Sequence, residues 1–230
     1  MKKEFKKRIL SSIILLPLVT FTIIEGSYFF YFLLILTLYI TASEWISMTK
    51  SNSHKLIGLI FLLISFYTFY KLRINSDNNY TTLILIISIC VLTDIGGFIF
   101  GKIFKGPRLS KISPNKTYAG AIGSLMMTIS SIPFFMFYNL LDDNEILAST
   151  LFFVLVSVIS QTGDLTISYF KRLSNVKDTG KLIPGHGGLL DRIDGIIFAI
   201  PFSYILLLSD LFKNIFIWKK KLQFLDRQDL

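Results

Sequence analysis

Residues 147–194 read LASTLFFVLVSVISQTGDLTISYFKRLSNVKDTGKLIPGHGGLLDRID: an apolar run, then a stretch dense in bases, carboxylates and glycines, then the start of another apolar run. The first part, 147–169, has the length of a helix that crosses a bilayer. Working outward with the same criterion gives further spans at 9–24, 27–43, 56–70, 80–100, 118–140 and 193–212. The expected fold is therefore all-α, a polytopic transmembrane helical bundle of about seven to eight spans. No repeat, low-complexity tract or linker divides it, so 1–230 is expected to form a single integral membrane domain, with its chemistry between 93 and 195.

Composition agrees. Hydrophobic residues make up 52% of the 230 and charged residues only 17%, and the mean hydropathy is +0.60. Soluble domains carry more charge than this. The net charge of +9 does not indicate nucleic acid as a partner, because the bases lie between apolar spans instead of on one soluble face. Membrane lipids with anionic head groups are the simpler partner. The single cysteine, Cys90, sits inside an apolar run, which excludes an intramolecular disulfide and points to packing.

The basic start, Lys2, Lys3, Lys6, Lys7 and Arg8, precedes a span with no small-residue cleavage site after Ile24, so it reads as a retained anchor. With that end cytoplasmic, Lys50, Lys55, Lys102, Lys105, Arg108, Lys111 and Lys116 share its side, as do the bases of 171–192. The opposite loops hold Lys71 and Arg73 beside Glu25, Asp142, Asp143 and Glu145. An odd span count leaves the basic tail outside, against this rule. Either one span is miscounted, or the segment around Pro201 folds as a broken hairpin.

The charged residues suggest the chemistry. Helical spacing puts Asp164, Ser168 and Lys171 on one face. A carboxylate just below a membrane surface needs a metal, a base or water to offset its charge. The plain alternative is an Asp164 paired with Lys171 or Arg172. Asp191 and Asp194, three apart, share a side at the start of the last span, where they could equally serve the helix dipole. Carboxylates from separate helices, with little sulfur or imidazole nearby, suit a hard cation, Mg²⁺ first. Gly185, Gly187 and Gly188 would let backbone N–H groups approach a phosphate, although an ordinary tight loop has the same composition. No Walker A or dinucleotide-binding pattern accompanies them. Upstream, Asp94 lies beside Gly96 and Gly97. Ser113, Asn115, Lys116 and Thr117 offer hydroxyls, an amide and an ammonium to phosphate oxygens, or form a basic lipid-facing surface.

The stretch KRLSNVKDTGKLIPGHGGLLDRID closely resembles the signature of the CDP-diacylglycerol synthases, the phosphatidate cytidylyltransferases, and TDIGGFIFGK and ISPNKTYAG resemble that family's upstream motifs. The chain is shorter than typical members, and has Asn115 and Ala119 where a lysine and a glutamate are more usual. The resemblance implies a multi-pass enzyme of the bacterial inner membrane, its active site cytoplasmic. Its partners would be CTP and phosphatidic acid, which it joins with Mg²⁺ to give CDP-diacylglycerol and diphosphate. A second cation and a homodimer are left open. The metal ligands would map onto Asp164 and Asp191. Lys171, Arg172, Lys177, Asp178 and Arg192 complete the charged catalytic set, with His186 as a phosphate positioner and Asp194 as support for the metal. Asp94, Ser113, Asn115, Lys116, Thr117, Ser168, Gly185, Gly187 and Gly188 are the substrate-binding candidates. The rivals are a CTP-dependent polyprenol or phytol kinase, a related lipid cytidylyltransferase and, remotely, an ion-coupled transporter, whose carboxylates should lie at midspan.

Overall fold

The computed structural model describes residues 17–74, 80–110, 112–114, 116–182, 187–212 and 214–216. Its elements are helices: α1 over 17–25, then α2 (Ser27–Met48), α3 (Asn52–Ile74), α4 (Tyr80–Phe104), α5 (Tyr118–Ser130), α6 (Ile132–Phe137), α7 (Ile146–Leu173) and α8 (Leu190–Leu208), with a 3₁₀ turn at Asp143–Glu145. Among the described residues there is no strand, only an isolated antiparallel bridge between Arg108 and Thr117.

Among the described residues, five helical segments are long and apolar enough to cross a bilayer: Ser27–Met48, Asn52–Ile74, Tyr80–Phe104, Tyr118–Phe137 and Asp143–Leu173. These do not confirm the expected seven to eight spans. The first expected span, 9–24, is described only from residue 17, as α1. The last, α8, begins with Asp191, Arg192 and Asp194, more charge than a bilayer core accepts. The helices still follow the expected segments closely, because an unbroken apolar run admits little else in lipid. Large apolar side chains such as Phe29, Phe32, Ile35 and Tyr39 along α2 are exposed, as a lipid-facing surface requires.

The chain forms two compact units. One gathers the described residues up to Leu85 with Thr162–Pro201, and the other Ile86–Gln161 with the described residues from Phe202. In the first, Trp45, Met48, Leu62, Phe66, Ile167, Leu190 and Ile197 make the core. α2 and α3 approach closely, since a Cβ on Gly58 would lie 2.0 Å from the Trp45 ring. The turn between α1 and α2 uses Gly26 at φ +66 and ψ −139, a conformation that glycine, having no Cβ, adopts without strain. Arg73 donates from Nε to the Ile23 carbonyl at 2.7 Å and from Nη2 to that of Ile24 at 3.2 Å, satisfying the end of α1.

α8 runs unbroken through Pro201, so the broken hairpin considered for this segment is not what forms. Proline has no N–H, which leaves the carbonyl of Ile197, four residues back, without its helical partner. The Ser65 hydroxyl donates to that carbonyl at 2.8 Å instead.

In the second unit, glycines form a seam between α4 and α5. A Cβ on Gly96 would meet the Gly123 carbonyl at 2.8 Å, and one on Gly120 the Gly97 carbonyl at 2.8 Å. Small residues let helix backbones approach where lipid provides no hydrophobic drive for association. Ser124 Oγ donates to the Thr93 carbonyl at 2.7 Å across the same contact, and Thr93 Oγ1 donates to Ser157 Oγ of α7 at 2.9 Å. The expected helix 118–140 is divided at Ser131, two residues before Pro133, into α5 and α6. Cys90 is buried and free.

Candidate active site

The bases at the end of α7, Lys171 and Arg172, sit where a helix dipole favours cations. The chain then turns through Asn175 at φ +60, with Val176 N–H donating to the Lys171 carbonyl at 2.9 Å. The loop that follows returns to Leu190, where α8 starts. An ion pair joins the two helix ends. Lys171 Nζ lies 2.7 Å from Asp191 Oδ1, with the side chains 12% and 6% exposed.

The other oxygen of Asp191 is held by the loop. Oδ2 accepts from Thr179 N–H at 2.8 Å, Thr179 Oγ1 at 3.1 Å and Gly188 N–H at 3.0 Å. Asp191 lies outside the five apolar spans. Burial pushes its pKa up, but the Lys171 ammonium and the N–H groups of Thr179 and Gly188 outweigh that, so the carboxyl titrates below its ordinary value. The result is a pinned, ionised carboxylate with one oxygen facing a cation and the other facing three donors.

The loop glycines have a corresponding use. Gly187 has φ +85, and a Cβ there would fall 3.0 Å from Asp191 Oδ2. On Gly188 it would fall 2.2 Å from Thr179 Oγ1. The Gly188 N–H, expected to face an anion, faces the protein's own carboxylate.

Asp164 is half-buried on α7 and accepts from Ser168 Oγ at 3.3 Å, as the spacing predicts. Lys171, three residues further on, pairs with Asp191. Asp194 is buried and accepts from Gly195 N–H at 2.8 Å. Arg172, Lys177, Asp178 and Arg192 are exposed. Gly185, His186 and Asn115 lie outside the described residues. Asp94, exposed on α4, Ser113, Lys116 and Thr117 belong to the second unit. There Thr117 caps α5 by accepting from Gly120 N–H at 3.1 Å. The Lys116 carbonyl accepts from Leu109 N–H at 2.8 Å, closing the loop.

One residue of this neighbourhood escaped the sequence reading. Glu44, 7% exposed near the end of α2, accepts from Leu189 N–H at 2.9 Å, Leu190 N–H at 2.8 Å and Thr179 Oγ1 at 3.1 Å. It takes the orphan N–H groups that open α8, so Asp191 need not cap its own helix. An isolated carboxylate at the end of an apolar run, ITASEWISM, is the signal that would have found it.

Among the described residues no three His, Cys, Asp or Glu side chains group as a ready metal cage. Mg²⁺ does not require one, because it is commonly held by one or two carboxylates together with substrate phosphates and water.

The model of the cytidylyltransferase family matches residues 54–210. The chain is 38% identical over 210 residues to a phosphatidate cytidylyltransferase of Rickettsia typhi, covering 87% of this chain and 90% of that one. It is 37% identical over 215 residues to its counterpart in Rickettsia felis, covering 89% and 93%. A Staphylococcus haemolyticus phosphatidate cytidylyltransferase is 37% identical over 155 residues, covering 67% of this chain and 58% of the relative.

Proposed function

Because the chain belongs to the cytidylyltransferase family, we infer that the site around Asp191 carries that family's chemistry on a lipid. The protein transfers CMP from CTP to phosphatidic acid, giving CDP-diacylglycerol and diphosphate in phospholipid biosynthesis. The observation that carries the assignment to this site is the paired Lys171 and Asp191 under a glycine turn, inside the matched region.

A phosphate oxygen of phosphatidic acid forms a bond to the α-phosphorus of CTP. The bond from that phosphorus to the bridging oxygen breaks, and its electron pair leaves with diphosphate. A phosphate monoester's second pKa is near 6, so the nucleophile is already mostly dianionic at neutral pH and needs no strong base. What the protein must supply is position and positive charge. Lys171 is assigned to give its ammonium to phosphate oxygens, with Asp191, its partner at 2.7 Å, fixing its direction. Arg172, Lys177 and Arg192, exposed at the same helix ends and loop, suit the triphosphate. His186 is read as a phosphate positioner.

The oxygen ligands available in this unit are of the kind that suits Mg²⁺, with Lys171 giving up its place at Asp191 Oδ1 when the ion binds. Asp191 Oδ1 already faces one cationic group at 2.7 Å, its other oxygen is immobilised, and Asp164 is a second half-buried carboxylate in the same unit. These two would hold the ion, which offsets charge on the phosphate oxygens when bound. The positive-inside pattern supports a site on the cytoplasmic face of the bacterial inner membrane. α1 and the apolar part of α8 beyond Asp194 are assigned as additional membrane segments.

The test is product analysis. Purified protein with labelled CTP, phosphatidic acid and Mg²⁺ should yield a CMP-bearing lipid and diphosphate. CDP with a phosphorylated lipid would mark a kinase and refute the proposal.

A further inference from the structure

Glu44 reaches the site from a distant part of the chain, and both its oxygens accept from protein donors. Its Oε1 accepts from Leu189 N–H, and its Oε2 from Leu190 N–H and the Thr179 hydroxyl. Gly180 and Gly188 are shaped around it: a Cβ on Gly180 would lie 2.6 Å from Oε1, and one on Gly188 2.6 Å from Oε2. The Thr179 hydroxyl is 3.1 Å from Glu44 Oε2 and also 3.1 Å from Asp191 Oδ2. A hydroxyl has one proton to give, so the two carboxylates share it, and moving either alters the hold on the other.

We propose that Glu44 is a positioning residue of the cytidylyl-transfer site. It staples the start of α8 and the loop at Thr179 to α2, and through Thr179 it fixes the orientation of Asp191 toward Lys171. The proposal rests on the function assigned above. Glu44 touches no substrate in this account. It acts by leaving Asp191 one permitted direction, and a carboxylate so constrained loses no freedom when phosphates arrive.

The test uses the full chain in detergent or nanodiscs, as wild type, Glu44→Gln, Thr179→Val and the double variant. Glutamine keeps the size but offers one acceptor where the site needs two, so a donor meets the Leu189 or Leu190 N–H. The kcat of Glu44→Gln should fall about tenfold or more, the scale of one lost charge-assisted bond, while KM for CTP moves less than about threefold. Thr179→Val should show the same pattern, and the double variant should be little worse than the weaker single, because both act on one target. Hydrogen exchange supplies a readout free of turnover. Amides 189 and 190 should exchange about tenfold faster in Glu44→Gln, with the interior of α8 unchanged.

Unchanged exchange would refute the staple. Faster exchange with unaltered kcat, or fully additive losses, would refute the positioning role and leave Glu44 as a fold element. A wild type that makes no CMP-lipid would overturn the functional reading and the positioning role with it. Exchange would still report whether the staple exists, so the two failures are told apart.

Discussion

Removing either end of the Lys171–Asp191 pair should have unequal consequences. In Asp191→Asn the best arrangement keeps the amide oxygen at the Oδ2 place, under Thr179 and Gly188, and turns the NH₂ toward Lys171. That sets two donors where 2.7 Å now separates opposite charges. The lysine side chain, 12% exposed, then has little solvent to replace its partner, and breaking a buried pair in this way costs about 3 kcal/mol. Lys171→Met is milder. Asp191 keeps the three donors on Oδ2 and loses one charge-assisted bond, about 1.5–2 kcal/mol. The double variant removes both charges, so its cost should fall below the sum of the singles by about 1–2 kcal/mol. Unfolding in mixed micelles measures all three. The coupling should survive 0.5 M salt, because a pair this buried is poorly screened. Additive losses within about 0.3 kcal/mol, or Lys171→Met costing more than Asp191→Asn, would refute the reasoning.

Other outcomes follow from the same geometry. Gly188→Ala forces a methyl group to 2.2 Å from Thr179 Oγ1 and 2.7 Å from Gly180 N, and should lower stability by about 2 kcal/mol with most turnover lost. Gly106→Ala, with nothing within 4 Å, should cost only the strain of its positive φ, about 1 kcal/mol, and unfolding of both variants checks the difference. Ser65→Ala should destabilise by about 1–2 kcal/mol by orphaning the Ile197 carbonyl, and adding Pro201→Ala, which restores an N–H to α8, should recover most of it. Asp164→Asn should lose most activity while accumulating normally in the membrane, and retained turnover at ordinary Mg²⁺ would remove it from the metal site. For pH, the depressed pKa of Asp191 makes its stabilisation full above the ordinary 3.8 and lost only as pH falls through its lower folded value. The stability gap between wild type and Asp191→Asn should therefore stay level from neutral pH to about 4 and close below it.

The helices were legible because apolar runs in lipid have one local solution, and α2, α3, α4 and α7 lie close to the segments read from composition. The division at Ser131 was missed although Pro133 marks it, since hydropathy continues across the gap. At the site, the spacing of Asp164, Ser168 and Lys171 comes from local periodicity, whereas the pairing of Lys171 with Asp191, across the loop 174–189, was not read from the sequence. Glu44 was not legible in the same way. Its partners lie more than a hundred positions away, and hydropathy treats it as the edge of a span. Glycines 96 and 97 drew attention beside Asp94, yet they pack against α5. Composition does not distinguish a glycine that admits a ligand from one that admits a neighbouring helix.

The central claim is that the pinned Asp191 belongs to a site that moves CMP from CTP onto phosphatidic acid. Wild type and Asp191→Asn, purified side by side and supplied with α-labelled CTP, phosphatidic acid and Mg²⁺, test it most directly. The account predicts label in a CMP-bearing lipid with equimolar diphosphate from wild type, and at least about a hundredfold less from the variant. Label recovered as CDP, or equal turnover by the two proteins, would contradict it.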